Sequence, residues 1–147
     1  MAEENIDTII RQGIEAAEKG YIHSAQVLLN QAVEGRNTPE LHSYLAYCMA
    51  KDEGRISAAA RTCRESIRRE PGNSLHYLLL GRILLLAGEK TKAVAAFRQG
   101  LKTSPNPKII VELKSLGLRK PAIFKSLDRK HPLNKVVGKV FSTIGLR

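Results

Sequence analysis

The sequence predicts an all-α fold in which helical hairpins stack into a solenoid. Gly20, Gly54 and Gly88 are spaced 34 residues apart, and an alanine follows each of them by five residues. A fixed period of this length is typical of helical repeats. The same interval separates three small residues, Ala32, Ser66 and Gly100. Because two helices approach closely only where side chains are small, the three glycines mark the turns of three packed hairpins.

Chain breakers divide each repeat into two helices. Repeats are predicted at about 6–39, 40–73 and 74–107, and Pro71 and Pro105 close the second and third. The predicted helices are 3–18, 22–35, 40–52, 56–69, 74–87 and 90–103. Thr38 before Pro39 is a recognised helix start, and Asn73 or Ser74 can cap the helix that follows. A capping helix at 108–116 completes a repeat domain that spans residues 1–118.

The third repeat carries a family resemblance. Tyr77, Leu80 and Gly81 lie in its first helix, Ala93 and Phe97 in its second, and Pro105 closes it. In these positions the chain resembles the tetratricopeptide repeat (TPR) family. The resemblance covers residues 6–105 and implies a right-handed superhelix. In the second repeat a 34-residue count places Tyr47 in the column of Gly13 and Gly81, whereas Ala46 is the small residue, so one residue could be inserted before Gly54.

The resemblance also implies a binding groove lined by the first helix of each repeat. The candidate groove residues are Ile10, Ile14, Ala17, Tyr44, Cys48, Lys51, Leu78, Arg82 and Leu85. They are mostly apolar, which suits a helical or extended hydrophobic segment, with Arg82 and Lys51 placed to pair with an acidic neighbour. Family members that bind a terminal carboxylate carry lysines and asparagines where this chain has Ile10, Ile14 and Tyr44, so we expect no carboxylate clamp. Alternatively, part of the apolar stripe packs between repeats.

Residues 119–147 form a basic tail outside the repeat pattern. They contain eight Lys or Arg and one acid, a net charge of +7, whereas residues 1–118 carry +3. Apolar residues at helical spacing predict an amphipathic helix at about 133–144. Its candidate contact residues are Lys135, Val136, Lys139, Val140 and Phe141. This helix could bind in the groove of the chain itself, seal the end of the last hairpin, or bind an acidic membrane or polyanion.

Other function classes find little support in the sequence. Cys48 and Cys63 have no CxxC spacing, and His42 and His76 lie one repeat apart, so we expect neither a disulfide nor a metal site. Phosphate-loop and hydrolase motifs are absent, so we expect no cofactor and no catalysis. Nucleic acid is disfavoured because no binding motif is visible.

The predicted function is that of a cytoplasmic, non-catalytic adaptor for a protein or peptide partner. No stretch of about 18 apolar residues could span a bilayer, and the first ten residues are acidic where a secretory signal would be basic. The alternative is a peripheral membrane or polyanion tether that acts through the basic tail.

Overall fold

The computed structural model describes residues 2–117, which fold into helices joined by short turns. Helices α1 and α2 form the first hairpin, α3 and α4 the second, α5 and α6 the third, and α7 follows them. Their bounds are Ala2–Lys19, Ile22–Gly35, Pro39–Glu53, Ile56–Arg69, Ser74–Leu86, Lys90–Thr103 and Pro107–Ser115. Helices α2, α4 and α6 begin at intervals of 34 residues, at Ile22, Ile56 and Lys90. The predicted period and all-α solenoid are therefore confirmed.

The three predicted turn glycines lie at the hairpin turns. Gly20, Gly54 and Gly88 have φ angles of 87°, 68° and 75°, in the left-handed region that favours glycine. The predicted helix starts are also confirmed. Thr38 Oγ1 accepts a hydrogen bond from the amide of Leu41, and Asn73, rather than Ser74, caps α5 by accepting from the amide of Leu75.

The register of the second repeat follows the strict 34-residue count. Helix α3 runs without interruption from Pro39 to Glu53, and Gly54 follows it in the same conformation as the other turn glycines. No residue is inserted before Gly54. Tyr47, which is 8% exposed, therefore occupies the column that glycine fills in the other two repeats.

The core lies between the helices of each hairpin and between successive hairpins. A Cβ atom built on Gly81 would lie 2.2 Å from Cε1 of Phe97, and one built on Gly13 would lie 2.8 Å from Cδ2 of Leu29. Helix α7 closes the stack with Ile109, Ile110 and Leu113, which are all buried. The first and third hairpins therefore owe their close packing to glycine.

A buried polar contact ties the second repeat to the third. His76 is inaccessible to solvent, and its Nδ1 lies 2.8 Å from Ser43 Oγ on α3. Its Nε2 lies 2.7 Å from Glu70 Oε1 at the end of α4. Both ring nitrogens therefore have partners, which is the usual condition for a buried imidazole.

Two further observations concern the predictions about membranes and the tail. Among the helices of residues 2–117, none combines the length and the apolar character needed to cross a bilayer. The tail, with its predicted helix at 133–144, lies outside the described residues, as do the candidate contacts Lys135, Val136, Lys139, Val140 and Phe141.

Candidate protein-binding surface

The first helices of the repeats share one face with α7, and Arg82 lies at its centre. Arg82 Nε donates to Glu112 Oε1 on α7 at 2.8 Å. Its two terminal nitrogens donate to the two carboxylate oxygens of Glu18 on α1, at 3.0 and 3.1 Å. The Arg82 side chain is only 13% exposed. This fork geometry is the strongest form of an arginine–carboxylate pair, and it links helices at opposite ends of the stack.

Glu18 has two more partners on this face. Lys108 Nζ, at the start of α7, lies 3.2 Å from Glu18 Oε1, and the Tyr44 hydroxyl donates to the same oxygen at 3.4 Å. We call Glu18, Tyr44, Arg82, Lys108 and Glu112 the inner-face network. It connects the first repeat directly to the terminal helix, passing over α3. The network therefore fixes the curvature of the solenoid as well as satisfying its own charges.

The network shifts the pKa values of its members in the directions expected for mutual stabilisation. Burial alone would raise the pKa of Glu18, but the hydrogen bonds and charge of Arg82, together with Lys108, leave it below its usual value. Burial opposes the charge of Arg82, yet Glu18 and Glu112 raise its pKa further above the ordinary arginine value. Burial and the neighbouring Glu18 carboxylate raise the pKa of Tyr44. Glu18 and Arg82 are thus a charged pair at neutral pH, and Tyr44 is a neutral donor.

Tyr47 presents an aromatic ring to the same face. The Arg82 guanidinium lies 5.6 Å from the ring centroid and the Lys51 ammonium 5.8 Å from it. Both distances are within the range of cation–π attraction. Lys51 is exposed, and no carboxylate pairs with it within residues 2–117. It is therefore a cation of this face that remains open to a ligand.

The predicted groove residues separate into two groups. Ile10, Ile14 and Leu85 are half-buried, Lys51 is exposed, and Arg82 is at the centre of the network. In contrast, Ala17 and Tyr44 are each 2% exposed, and Cys48 and Leu78 are fully inaccessible. Cys48 and Leu78 pack into the core behind the face, so neither can contact a ligand in this conformation. Burial raises the pKa of the Cys48 thiol to about 11, with a smaller contribution from Asp52.

The predicted role of Arg82 needs a correction. The sequence placed it as a free cation for an acidic group of the ligand, but it already has two carboxylate partners in the chain. Sequence reasoning missed Glu18, Lys108 and Glu112, which lie outside the counted columns. One signal was present: Arg82 is the only charged residue of α5, in the segment SLHYLLLGRILLL. A lone arginine in an apolar helix requires a partner, although its identity depends on the fold.

The histidine pair is explained by structure rather than by ligand binding. His76 is buried between Ser43 and Glu70, while His42 Nε2 contacts Asn37 Oδ1. In the part of the chain that the structure describes, no group of three or more His, Cys, Asp or Glu side chains could hold a metal ion.

Two solved structures resemble this chain in fold. TTC0263, a thermophilic TPR protein of Thermus thermophilus, aligns with a TM-score of 0.61 and 16% identity, over 95% of this chain and 83% of its own. This chain has a tetratricopeptide-repeat fold. The D159K mutant of MamA aligns with a TM-score of 0.54 and 19% identity, over 99% of this chain and 91% of its own. No protein-family model and no curated protein sequence matches this TPR-like chain.

Proposed function

We propose that this chain is a non-catalytic adaptor whose inner face binds a helical or extended hydrophobic segment of a partner protein. The observation that carries the proposal is the inner-face network, in which Arg82 joins Glu18 of α1 to Glu112 of α7. A face held in one curvature before binding loses little conformational freedom when a partner arrives. Preorganisation of this kind suits recognition and requires no reacting group.

The chemistry of the open part of the face defines the ligand. Ile10, Ile14 and Leu85 are half-buried and give the ligand an apolar surface to cover. Lys51 is exposed beside Tyr47 and can pair with one acidic side chain. Arg82 orients the surface and does not itself supply a free charge. The ligand that fits is an apolar segment with an acid at one end.

The proposal can be tested by panning a random peptide library against the full-length chain. Bound peptides are then compared on the wild-type protein and on the variant Ile14→Ser/Lys51→Glu. We expect enriched peptides to be apolar at helical or alternating spacing, to carry an acid, and to lose most of their affinity for the variant. Arg11→Glu is the matched control, because Arg11 is an exposed cation of α1 outside the candidate groove set.

Two results would contradict the adaptor proposal. The first is a library that yields no sequence dependent on the inner face. The second is peptides that bind the variant as well as the wild type. Anionic vesicles test the alternative, a tether that acts through the tail: binding that disappears with added salt and with Lys135→Glu/Lys139→Glu would favour it.

A further inference from the structure

The helices of this chain carry opposite charges in a regular order. Helices α1 and α3 contain eight acids and three basic residues, a net charge of −5. Helices α4 and α6 contain eight basic residues and one acid, a net charge of +7. Glu18 of α1 has partners in Arg82 and Lys108, whereas the cations of α4 and α6 mostly face solvent. Their concentration therefore has no counterpart in the packing of the fold.

We call the exposed cations of α4 and α6 the basic face. It is formed by Arg61, Arg64, Arg68, Arg69, Lys90, Lys92 and Lys102. Arg68 pairs with Glu65 and Lys92 with Glu89. Within residues 2–117, no carboxylate pairs with Arg61, Arg64, Arg69, Lys90 or Lys102. The unpaired members outnumber the paired ones, so the face has a net positive charge available to a partner.

The repeat period arranges part of this charge as a grid. Arg64 and Arg98 lie 34 residues apart, as do Arg68 and Lys102, so each pair occupies equivalent places on α4 and α6. Within each helix the two members are separated by four residues and lie on the same side. Charge recurs along the helices and across them.

Two clefts give the basic face a shape. The first, of about 350 Å³, lies between the start of α4 and the third repeat. It combines Arg61, Arg64 and Lys92 with apolar side chains of Ile56, Ala60 and Leu84. The second, of about 380 Å³, is lined by Arg61 and Arg69 together with His42 and Glu65. Arg61 therefore stands between two recesses, the first of which can receive an apolar side chain beside an anionic one.

We propose that the basic face binds an acidic protein segment, one that is rich in Asp and Glu and carries apolar residues among them. Carboxylates would pair with the unpaired arginines, and an apolar side chain would enter the first cleft. Arginine forks match carboxylate geometry, and charge complementarity sets both the rate and the specificity of such an encounter. This site is separate from the inner face and does not depend on the proposed function.

Two other anionic partners fit the face less well. Single-stranded nucleic acid binds through aromatic stacking as well as charge, and the only aromatic residue of α4 and α6, Phe97, is fully buried. A membrane requires apolar side chains that insert. The exposed large apolar residues of the described part of the chain are Tyr21, Val27, Leu86 and Val111, and none of them belongs to α4 or α6.

The test is a fluorescence-anisotropy titration of the full-length chain with a labelled peptide composed of Glu, Asp and Leu. Arg61→Glu/Arg64→Glu should weaken binding about tenfold or more, since it reverses two of the free charges. The matched control, Arg11→Glu/Lys51→Glu, changes net charge by the same amount at exposed sites outside α4 and α6, and its affinity should stay close to that of the wild type. Arg61→Lys/Arg64→Lys should retain part of the affinity, because it keeps the charge and loses the fork.

Three results would overturn the proposal. One is unchanged affinity of Arg61→Glu/Arg64→Glu. Another is equal loss in the Arg11→Glu/Lys51→Glu control, which would mean that only net charge matters. The third is loss of binding in Lys135→Glu/Lys139→Glu alone, which would assign the peptide to the tail. Circular dichroism verifies that each variant is folded, with Arg61→Gln/Arg64→Gln as the replacement if charge reversal unfolds the chain. An oligonucleotide or anionic vesicles that require Arg61 and Arg64, while the peptide does not bind, would also refute the choice of partner.

Discussion

Replacing Gly81 by alanine should destabilise the chain, although the same change in an open helix would stabilise it. A Cβ atom at position 81 would lie 2.2, 2.6 and 2.7 Å from three ring carbons of Phe97. Normal carbon–carbon contacts are about 3.5–4 Å, so the ring would have to retreat by about 1 Å or more. Phe97 is fully buried and has no solvent-facing space to enter. The contact therefore has to be relieved by moving one helix of the third hairpin.

The expected size of the effect follows from two opposing contributions. Alanine in place of a mid-helix glycine stabilises by about 1 kcal/mol. Overpacking a close-packed core costs about 1–3 kcal/mol, and a contact this short belongs at the upper end. The net loss should be about 2 kcal/mol, which lowers the melting temperature by on the order of 5–10 °C for a domain of this size. Urea and thermal unfolding followed by far-UV circular dichroism measure both quantities.

Two controls isolate the contact with Phe97. A Cβ atom added to Gly72 would meet no atom within 4 Å, and Gly72 has no positive φ, so Gly72→Ala should leave stability nearly unchanged. Phe97→Leu shortens the opposing side chain to the one that Gly13 meets in the first repeat, Leu29. In the Phe97→Leu background, Gly81→Ala should cost clearly less than in the wild type. If Gly81→Ala is as stable as the wild type, or costs the same in both backgrounds, the close packing of this hairpin is not what limits residue 81.

Three other changes test the core and the inner face. Ala93 is fully buried, so Ala93→Leu should destabilise by about 1–3 kcal/mol through overpacking, and unchanged thermal unfolding would refute the assigned register. Glu18→Gln should lose about 1–2 kcal/mol at neutral pH. Because the pKa of Glu18 is lowered in the folded chain, that stabilisation is present above the pKa of the unfolded state and disappears as the pH falls through the folded value. Urea unfolding of both proteins should therefore converge in acid, and a gap that persists there would exclude the carboxylate charge as its cause. Burial raises the thiol pKa to about 11 for Cys48 and about 12 for Cys63, so neither should react with iodoacetamide in the native state at mildly alkaline pH, and rapid native labelling would contradict their burial.

The repeat architecture could be predicted from sequence because each of its determinants is local or periodic. Gly54 and Gly88 end helices through their own backbone conformation, and Thr38 caps α3 through an amide three residues away. Small and large residues also alternate predictably across a hairpin, as Gly81 and Phe97 show. By the same count the second repeat places Tyr47 opposite Cys63, which reverses the order of large and small. This reversal explains why a bulky residue stands in the column that glycine fills elsewhere.

The inner-face network could not be predicted in the same way. Glu18 and Arg82 are 64 residues apart, and Glu18 and Lys108 are 90 apart, so their meeting depends on how three hairpins curve together. Periodicity identified the face on which Cys48 and Leu78 lie, but not their depth. A change of one position along a helix rotates a side chain by about 100°, so residues at the edge of an apolar stripe can be either groove or core. Only the packed structure separates Ile14, which is half-buried, from Leu78, which is fully buried.

The two proposed sites follow from a difference between the faces of a repeat. Contacts between hairpins decide the fold, so a charge that takes part in them, such as Arg82, is explained once its partners are found. Arg61 and Arg64 take part in none of the ion pairs within residues 2–117, and removing them should not disturb the core. Like charges gathered on one surface raise the energy of the folded chain through their mutual repulsion. A cost without a structural return is best explained by a partner of opposite charge, and that is why the basic face, rather than the inner-face network, is the stronger indication of a second binding surface.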